Sequence, residues 1–328
     1  MIFVRWSAPS RTIHSPEVNG LFDEETERIL LFAFETDRMS VDAHAGHLSL
    51  KLLASGGERY HLGNRTITLD PSRILFLNAG QQYSSSIDVR RTRSVSFFLP
   101  PADVCSAISS LSRSDVALLD RPDADQVDPE LPQVPFRPDA LLGTLASRLV
   151  SVTLGARARS LPELEELVMQ VAGRALTASL GLTSLARGAR AVRRSTRDEL
   201  MSRALRARDL IEDRRGRVSL SEMSHVACLS KFHFLRVFRS IFGCTPAAYA
   251  RSVRLSAALA ELDCGALPHR AAVHARYSSP STLRRALRQH EARLARATCG
   301  STPSSLDSYR SAVIFPRQRR NIITGAGR

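Results

Sequence analysis

The chain has 328 residues, 43% of them hydrophobic, and a formal net charge of +14, a size that favours two domains over one. No run approaches the roughly 18 uninterrupted apolar residues of a membrane span, and the first ten residues lack the charged-then-apolar layout of a secretory signal, so the expected place is the cytoplasm, with no membrane partner. Five scattered cysteines, Cys105, Cys228, Cys244, Cys264 and Cys299, have no Cys-x-x-Cys spacing and read as reduced thiols, at least three of them near helix packing surfaces, rather than as a zinc or redox site.

From Leu48 to Leu99 short apolar runs alternate with turn residues, the pattern of an all-β domain. Leu48–Leu53 precedes Gly56-Gly57, and Tyr60–Leu62 precedes Gly63-Asn64, a pair suited to a tight hairpin. Ile67 and Leu69 alternate with threonine up to Asp70-Pro71, and Ile74–Leu77 and Val95–Leu99 read as further strands. Such a series closes most easily as a barrel or sandwich, which hides strand edges. Arg121–Pro138, with five prolines among acidic residues, is expected to be an irregular connection. Leu161, Leu164, Leu167, Val168, Val171 and Ala175 then recur at helical spacing, with Pro162 and Glu163 in the first turn. This stripe suits packing against the β domain or against a second copy of the chain. Thr183–Arg197, rich in Arg, Ala, Gly and Ser, reads as a linker, dividing the chain into residues 1–182, 183–197 and 198–328.

Ser219-Leu220-Ser221-Glu222 fits a capping box, so a short helix starts there, its buried face supplied by Leu220, Met223 and Ala227. A turn through Cys228-Leu229 leads to Ser230, a good N-cap for a second helix. In it Phe234, Val237, Phe238 and Ile241 form one stripe, and Gly243 ends it. Thr245-Pro246 opens a third helix that passes Tyr249, Arg254 and Leu262 and stops at Gly265. Off the apolar stripe, Lys231, Phe232, Leu235, Arg236 and Arg239 should project outward, mixing base-edge donors with apolar groups that can meet a thymine methyl. The unit occurs twice. Ser230, Phe234, Arg236, Phe238 and Arg239 recur as Ser279, Leu283, Arg285, Leu287 and Arg288, and Gly243-Cys244-Thr245-Pro246 recurs as Gly300-Ser301-Thr302-Pro303. The second spacing is longer because eight residues, 291–298, are inserted, which lengthens the second recognition helix by about two turns. Charge follows the same division. Residues 1–182 hold 18 basic against 22 acidic side chains, and residues 183–328 hold 28 against 10. A field confined to one end in this way attracts a polyanion, nucleic acid being the commonest.

Ser230–Arg239, Phe242–Tyr249 and Arg254-Leu255 resemble the first motif of the AraC/XylS family of bacterial transcription factors almost position for position. The second motif departs from the family pattern: Arg276-Tyr277 stands where Gly-Phe is usual, Pro280 enters the recognition helix, and the insertion separates Arg288 from Gly300. The resemblance implies an α+β chain of two domains, a cupin-like β-barrel with following helices and an all-α double helix-turn-helix domain. It implies a sequence-specific DNA-binding regulator, an activator answering a small-molecule effector, with double-stranded DNA and RNA polymerase as partners and a homodimer as its assembly. By resemblance Phe232, Leu235 and Arg236 in the first helix and Ser281, Arg284 and Arg285 in the second face bases, while Arg239 and Arg288 hold phosphates and Lys231 completes the outward DNA-binding set. Tyr60–Pro71 and Ile74–Gly80 are similar to the family's sensor domain, with Tyr60, His61 and Tyr83 as candidates to line an effector cavity. The principal rival is a cupin-type enzyme. Metal-dependent cupins need two histidines one residue apart, whereas His44 and His47 are three apart, so no metal or other cofactor and no catalytic residue are expected. A phosphate-binding Gly-rich loop, a nucleophile elbow and a triad are not found either, which leaves a metal-independent enzyme as the weakest alternative. A regulator that answers a protein partner, or no effector, is compatible with the same residues.

Overall fold

The computed structural model describes residues 1–7, 10–14, 28–101, 103–104, 130–155, 160–186 and 194–299. Its described strands form two five-stranded sheets. One runs in the order β1 (Ile2–Ser7), β3 (Leu30–Thr36), β10 (Thr92–Leu99), β5 (Leu48–Ser55), β8 (Ile74–Leu77); the other is β2 (Ser10–Ile13), β4 (Arg38–His44), β9 (Tyr83–Ile87), β6 (Glu58–Leu62), β7 (Arg65–Leu69). β1 lies parallel to β3 and β2 parallel to β4, and the other pairs are antiparallel. The sheets face one another. One core cluster joins Leu30, Phe32 and Phe98 of the first sheet to Met39, Val41 and Ile87 of the second, and another joins Leu53, Leu75 and Leu77 to Tyr60, Ile67 and Tyr83. The expected cupin-like barrel thus takes the form of two packed sheets.

Strands β5, β6, β7, β8 and β10 lie where the turn-bounded runs place them. Strands β1 to β4 and β9 were not expected, for two reasons. Leu30–Phe34 is a continuous apolar run, buried throughout because β3 is covered on both faces, and such a run shows no period. In β9, Tyr-Ser-Ser-Ser-Ile resembles turn composition, yet its inward residues Tyr83, Ser85 and Ile87 follow the period of two. Residues 130–138 are irregular apart from a bridge between Phe136 and Ile74; the earlier part of the expected connection lies outside the described residues.

Helix α1 (Ala140–Leu154) packs on β3, β5 and β10, and α2 (Leu161–Ala186) packs on α1. This layer explains why β5 is buried along most of its length rather than on alternate residues. Of the expected stripe on α2, Leu164, Leu167, Val168, Val171 and Ala175 are buried and Leu161 is exposed. The segment read as a linker is helical at both ends, since α2 continues through Ala186 and α3 (Arg194–Asp213) begins at Arg194. Buried Leu182 and Leu185 hold the last turn of α2, and residues 187–193 lie outside the described ones.

The chain divides into two compact units. Residues through Ala186 and the start of α3 to Ser202 belong to the first, and the rest of α3 from Arg203 to the second. The second unit continues with α4 (Leu220–Val226), α5 (Lys231–Phe242), α6 (Pro246–Asp263), α7 (Pro268–His274) and α8 (Pro280–Cys299). Helix α8 runs without interruption through the expected insertion at 291–298, whereas the Gly300–Pro303 ending lies outside the described residues.

Candidate nucleic-acid interface

Local chemistry sets both ends of each helix in the first motif. The Ser219 amide donates to Glu222 Oε2 at 2.8 Å and the Glu222 amide donates to Ser219 Oγ at 3.2 Å, closing the capping box of α4. These bonds hold the Glu222 carboxyl below its ordinary range. The turn passes through Cys228 at φ 51°, and Arg203 of α3 donates to the Cys228 carbonyl at 3.0 Å. Ser230 Oγ then accepts from the His233 amide, and α5 ends at Gly243, whose φ of 69° is easy only for glycine.

One face of α5 is core. Phe234, Val237, Phe238, Ile241 and Phe242 are buried, with the Phe238 ring 5.5 Å from Phe234, 4.5 Å from Phe242 and 5.8 Å from Tyr249 of α6. Tyr249 is anchored in turn, its hydroxyl donating to Glu212 of α3 at 2.6 Å. Burial and the Glu212 carboxylate raise that phenol well above its usual range. Beneath this layer Gly216 approaches α6 so closely that a Cβ there would lie 2.1 Å from the Ala250 carbonyl oxygen.

The other face of α5 is open. Lys231, Phe232, Leu235, Arg236 and Arg239 are all exposed, Phe232 at 75% and Leu235 at 36%, and α5 contains no acidic residue. The Arg236 guanidinium lies 5.8 Å from the centroid of the Phe232 ring. A helix face that leaves two large apolar groups in water between three cations gains when a nucleic-acid groove covers the apolar groups and supplies anions to the cations.

The second motif repeats this plan with smaller residues. Helix α7 supplies Ala271 and Ala272, and its C-cap supplies Ala275, to a core shared with Leu255 and Ala258 of α6 and Leu283 and Leu287 of α8. Helix α7 has no side-chain cap, while the Ser279 hydroxyl accepts from the Thr282 amide at the start of α8. Arg276 takes the turn position at φ 59°. Ser281, Arg284, Arg285 and Arg288 are exposed, and Arg285 also lines a groove between α6 and α8. Of the cysteines expected near packing surfaces, Cys228 and Cys264 are exposed free thiols, and Cys244 is half-buried, which pushes its thiol up.

A different site lies inside the first unit, between the sheets. Tyr60 and Tyr83 line a cavity of about 60 Å³ there, together with His44, Lys51, Glu58 and apolar residues including Phe32 and Phe98. His61 does not. One residue along β6 from Tyr60, it points to the opposite face, its ring within hydrogen-bonding distance of Thr66 and Ser86. Lys51 and Glu58, which the sequence reading missed, are the strongest polar groups present. Lys51 Nζ donates to the Tyr83 hydroxyl at 3.1 Å and lies 4.1 Å from the Phe98 ring centroid. Burial brings its ammonium down to about 7 and raises the Glu58 carboxyl, which accepts from the Ser94 hydroxyl at 3.0 Å. The buried Tyr60 hydroxyl lies near enough to Glu58 for each to shift the other, yet makes no hydrogen bond of regular geometry. The signal available in the sequence was a lysine inside the apolar run Leu48–Leu53, one of only two in the chain. Among the described residues, no cluster of three or more His, Cys, Asp or Glu is placed to hold a metal ion, and no helix is long and apolar enough to cross a membrane.

Comparison with known proteins finds a family described as a helix-turn-helix domain, whose profile matches residues 223–304. No curated protein sequence matches the chain. Similar solved structures include a ligand-free single-substitution variant of ToxT from Vibrio cholerae strain SCE256, 11% identical over 80% of this chain and 93% of that one with a TM-score of 0.31. They also include ToxT from the same strain bound to an unsaturated fatty acid, 11% identical over 80% and 91% with a TM-score of 0.30. The AraC-like transcriptional activator CuxR is 17% identical over 66% and 68%, with a TM-score of 0.27.

Proposed function

We propose that the chain is a sequence-specific DNA-binding transcriptional regulator of the AraC/XylS type, a reading supported by the helix-turn-helix profile over residues 223–304. The observation that carries the reading is the division of α5 and α8 into a buried apolar stripe and an exposed face of Lys231, Phe232, Leu235, Arg236, Arg239, Ser281, Arg284, Arg285 and Arg288. The two recognition helices enter successive major grooves on one side of the duplex, about 34 Å apart. In α5, Arg236 reads a base edge, with Phe232 and Leu235 against thymine methyls, and Arg239 and Lys231 hold phosphates. Changing Arg236 to alanine then costs about 1 to 3 kcal/mol on the preferred site and relaxes preference, while Arg239→Ala weakens all duplexes alike and flattens the salt dependence. Equal losses on specific and random DNA for Arg236→Ala contradict the assignment.

Regulation of that unit is assigned to an effector in the cavity between the sheets. With about 60 Å³ free, roughly the space of two waters, the cavity suits a small molecule, or a larger one that parts the sheets on entry. Lys51, Glu58 and the Tyr60 hydroxyl are its polar contacts, and Tyr83 belongs to its wall. Thermal shift against small polar metabolites tests this, with Lys51→Met as the control that abolishes the response. The same reading makes the protein an activator that engages RNA polymerase and pairs with a second copy, to which exposed Leu161 and Met169, about two turns apart on α2, offer apolar surface.

A further inference from the structure

The two motifs are joined by α6, and beside it lies an open groove of about 780 Å³ bounded by α6, the turn at Arg276 and α8. Four arginines line it, Arg251 and Arg254 one turn apart on α6, Arg276 in the turn and Arg285 on α8, and no acidic residue does. Among the described residues, no ion pair joins Arg251, Arg276 or Arg285 to a carboxylate, although Arg276 lies near enough to Glu222 to favour its carboxylate at longer range. Arg254 donates to the Gly216 carbonyl at 2.9 Å, but its Nε is buried without a hydrogen bond. Its guanidinium is disfavoured by burial and by the like charges of Arg276 and Arg251, against an opposing effect of Tyr277. Guanidinium groups gathered against their mutual repulsion form a site that an anion stabilises.

Backbone conformation adds a second observation. Arg276 stands at φ 59°, in the left-handed region where a side chain costs energy and glycine does not. The chain keeps an arginine there where glycine would relieve the strain; Arg91, Arg215 and Cys228 are left-handed as well, but of these four described residues Arg276 alone lines the groove, which joins its strain to a use for the side chain.

We infer that this groove is a phosphate clamp, in which Arg251, Arg276 and Arg285 seat the DNA backbone that crosses α6 between the two recognition helices. The inference rests on the reading of the second unit as a duplex-DNA binder. It also moves Arg285 from base contact to backbone contact. Arg285 lines the groove, while Arg284, one position along α8, does not, so within the second motif Arg284 keeps the base-reading role. A clamp of this kind carries register and affinity without sequence preference.

Arg276→Gly is the informative variant because it removes the charge and relieves the backbone together. The full-length protein is titrated with a selected duplex and a scrambled one across a salt series, alongside its melting temperature. Arg276→Gly is expected to melt no lower than wild type, to lose about tenfold in affinity for both duplexes, and to lower the slope of log affinity against log salt by about 0.9. Arg285→Ala should repeat the loss in slope with the specific-to-scrambled ratio unchanged. Unchanged affinity and slope in Arg276→Gly, or a ratio that collapses in Arg285→Ala, overturns the clamp while leaving the DNA-binding reading intact. If inorganic phosphate raises the melting temperature of wild type but not of Arg276→Gly, and DNA binding is equal in both, the groove belongs to a small anion and the duplex assignment is overturned. A wild-type protein that binds neither duplex overturns the clamp together with the reading beneath it.

Discussion

Phe232 and Phe238 are the same residue type on one helix, six positions apart, and they have opposite environments. Phe238 is 0% exposed and Phe232 75% exposed. A phenylalanine side chain buries about 150 to 250 Å², and at about 25 cal/mol per Å² its transfer alone contributes about 4 to 6 kcal/mol as an upper bound. Phe238 adds edge and tilted contacts with three other rings, and removing it leaves a void among them. Phe238→Ala should therefore cost about 3 to 5 kcal/mol. Phe232→Ala should leave stability within about 0.5 kcal/mol and weaken DNA binding instead. Hydrogen-deuterium exchange followed by mass spectrometry resolves the two effects by segment. Amides of α5 and α6 should exchange about two to nearly four decades faster in Phe238→Ala and at the wild-type rate in Phe232→Ala. If Phe238→Ala costs less than about 1 kcal/mol, or Phe232→Ala slows no DNA-dependent step while destabilising α5, the assignment of the two faces is wrong.

Ser219→Ala removes the acceptor for the Glu222 amide and should cost the second unit about 1 kcal/mol in urea unfolding followed by circular dichroism. Gly216→Ala places a Cβ against the Ala250 carbonyl at φ 72° and should cost about 2 kcal/mol or more in the same assay. In the first unit, burial lowers Lys51 from 10.5 to about 7, whereas an unfolded lysine keeps its proton to about 10.4. Between those values the unfolded state binds the extra proton, so stability from this group rises with pH across that window. Glu58, raised by burial and stabilised as an anion by Lys51, loses stability as pH rises from 4.5, and more steeply once Lys51 is gone, so it acts in the same direction in a comparison of the two proteins. Wild type should gain on Lys51→Met between pH 7 and 9.5 in urea midpoints read from Trp6, the single tryptophan of the chain; a constant difference would remove Lys51 as a buried titrating amine.

The recognition helices were legible because their determinants are local. Ser219-x-x-Glu222, Ser230, Gly243 and Thr245-Pro246 mark ends within a few residues, and the stripe of Phe234, Val237, Phe238 and Ile241 fixes which face is buried. Once that stripe is assigned, the exposure of Lys231, Phe232, Leu235, Arg236 and Arg239 follows from the helical period alone. The β unit was less legible for the reverse reason. Alternation shows that Tyr60 and His61 point to opposite faces, but which face is inside depends on the packing of the other sheet. Lys51 and Glu58 meet only because β5 lies in one sheet and β6 in the other, a relation that strand patterns do not encode. The arginine groove is likewise tertiary: Arg251, Arg276 and Arg285 lie on three segments, and their sequence spacing gives no sign that they share one surface.

The most direct test is selection of bound sequences from a random duplex pool by the full-length protein, followed by affinities for the winning and scrambled duplexes at one physiological salt concentration. The account predicts a two-part site, its halves about one helical turn apart, bound at least about 10³-fold more tightly than the scrambled duplex. A pool that emerges unenriched, with equal affinity for both duplexes, would mean that the exposed faces of α5 and α8 do not read DNA.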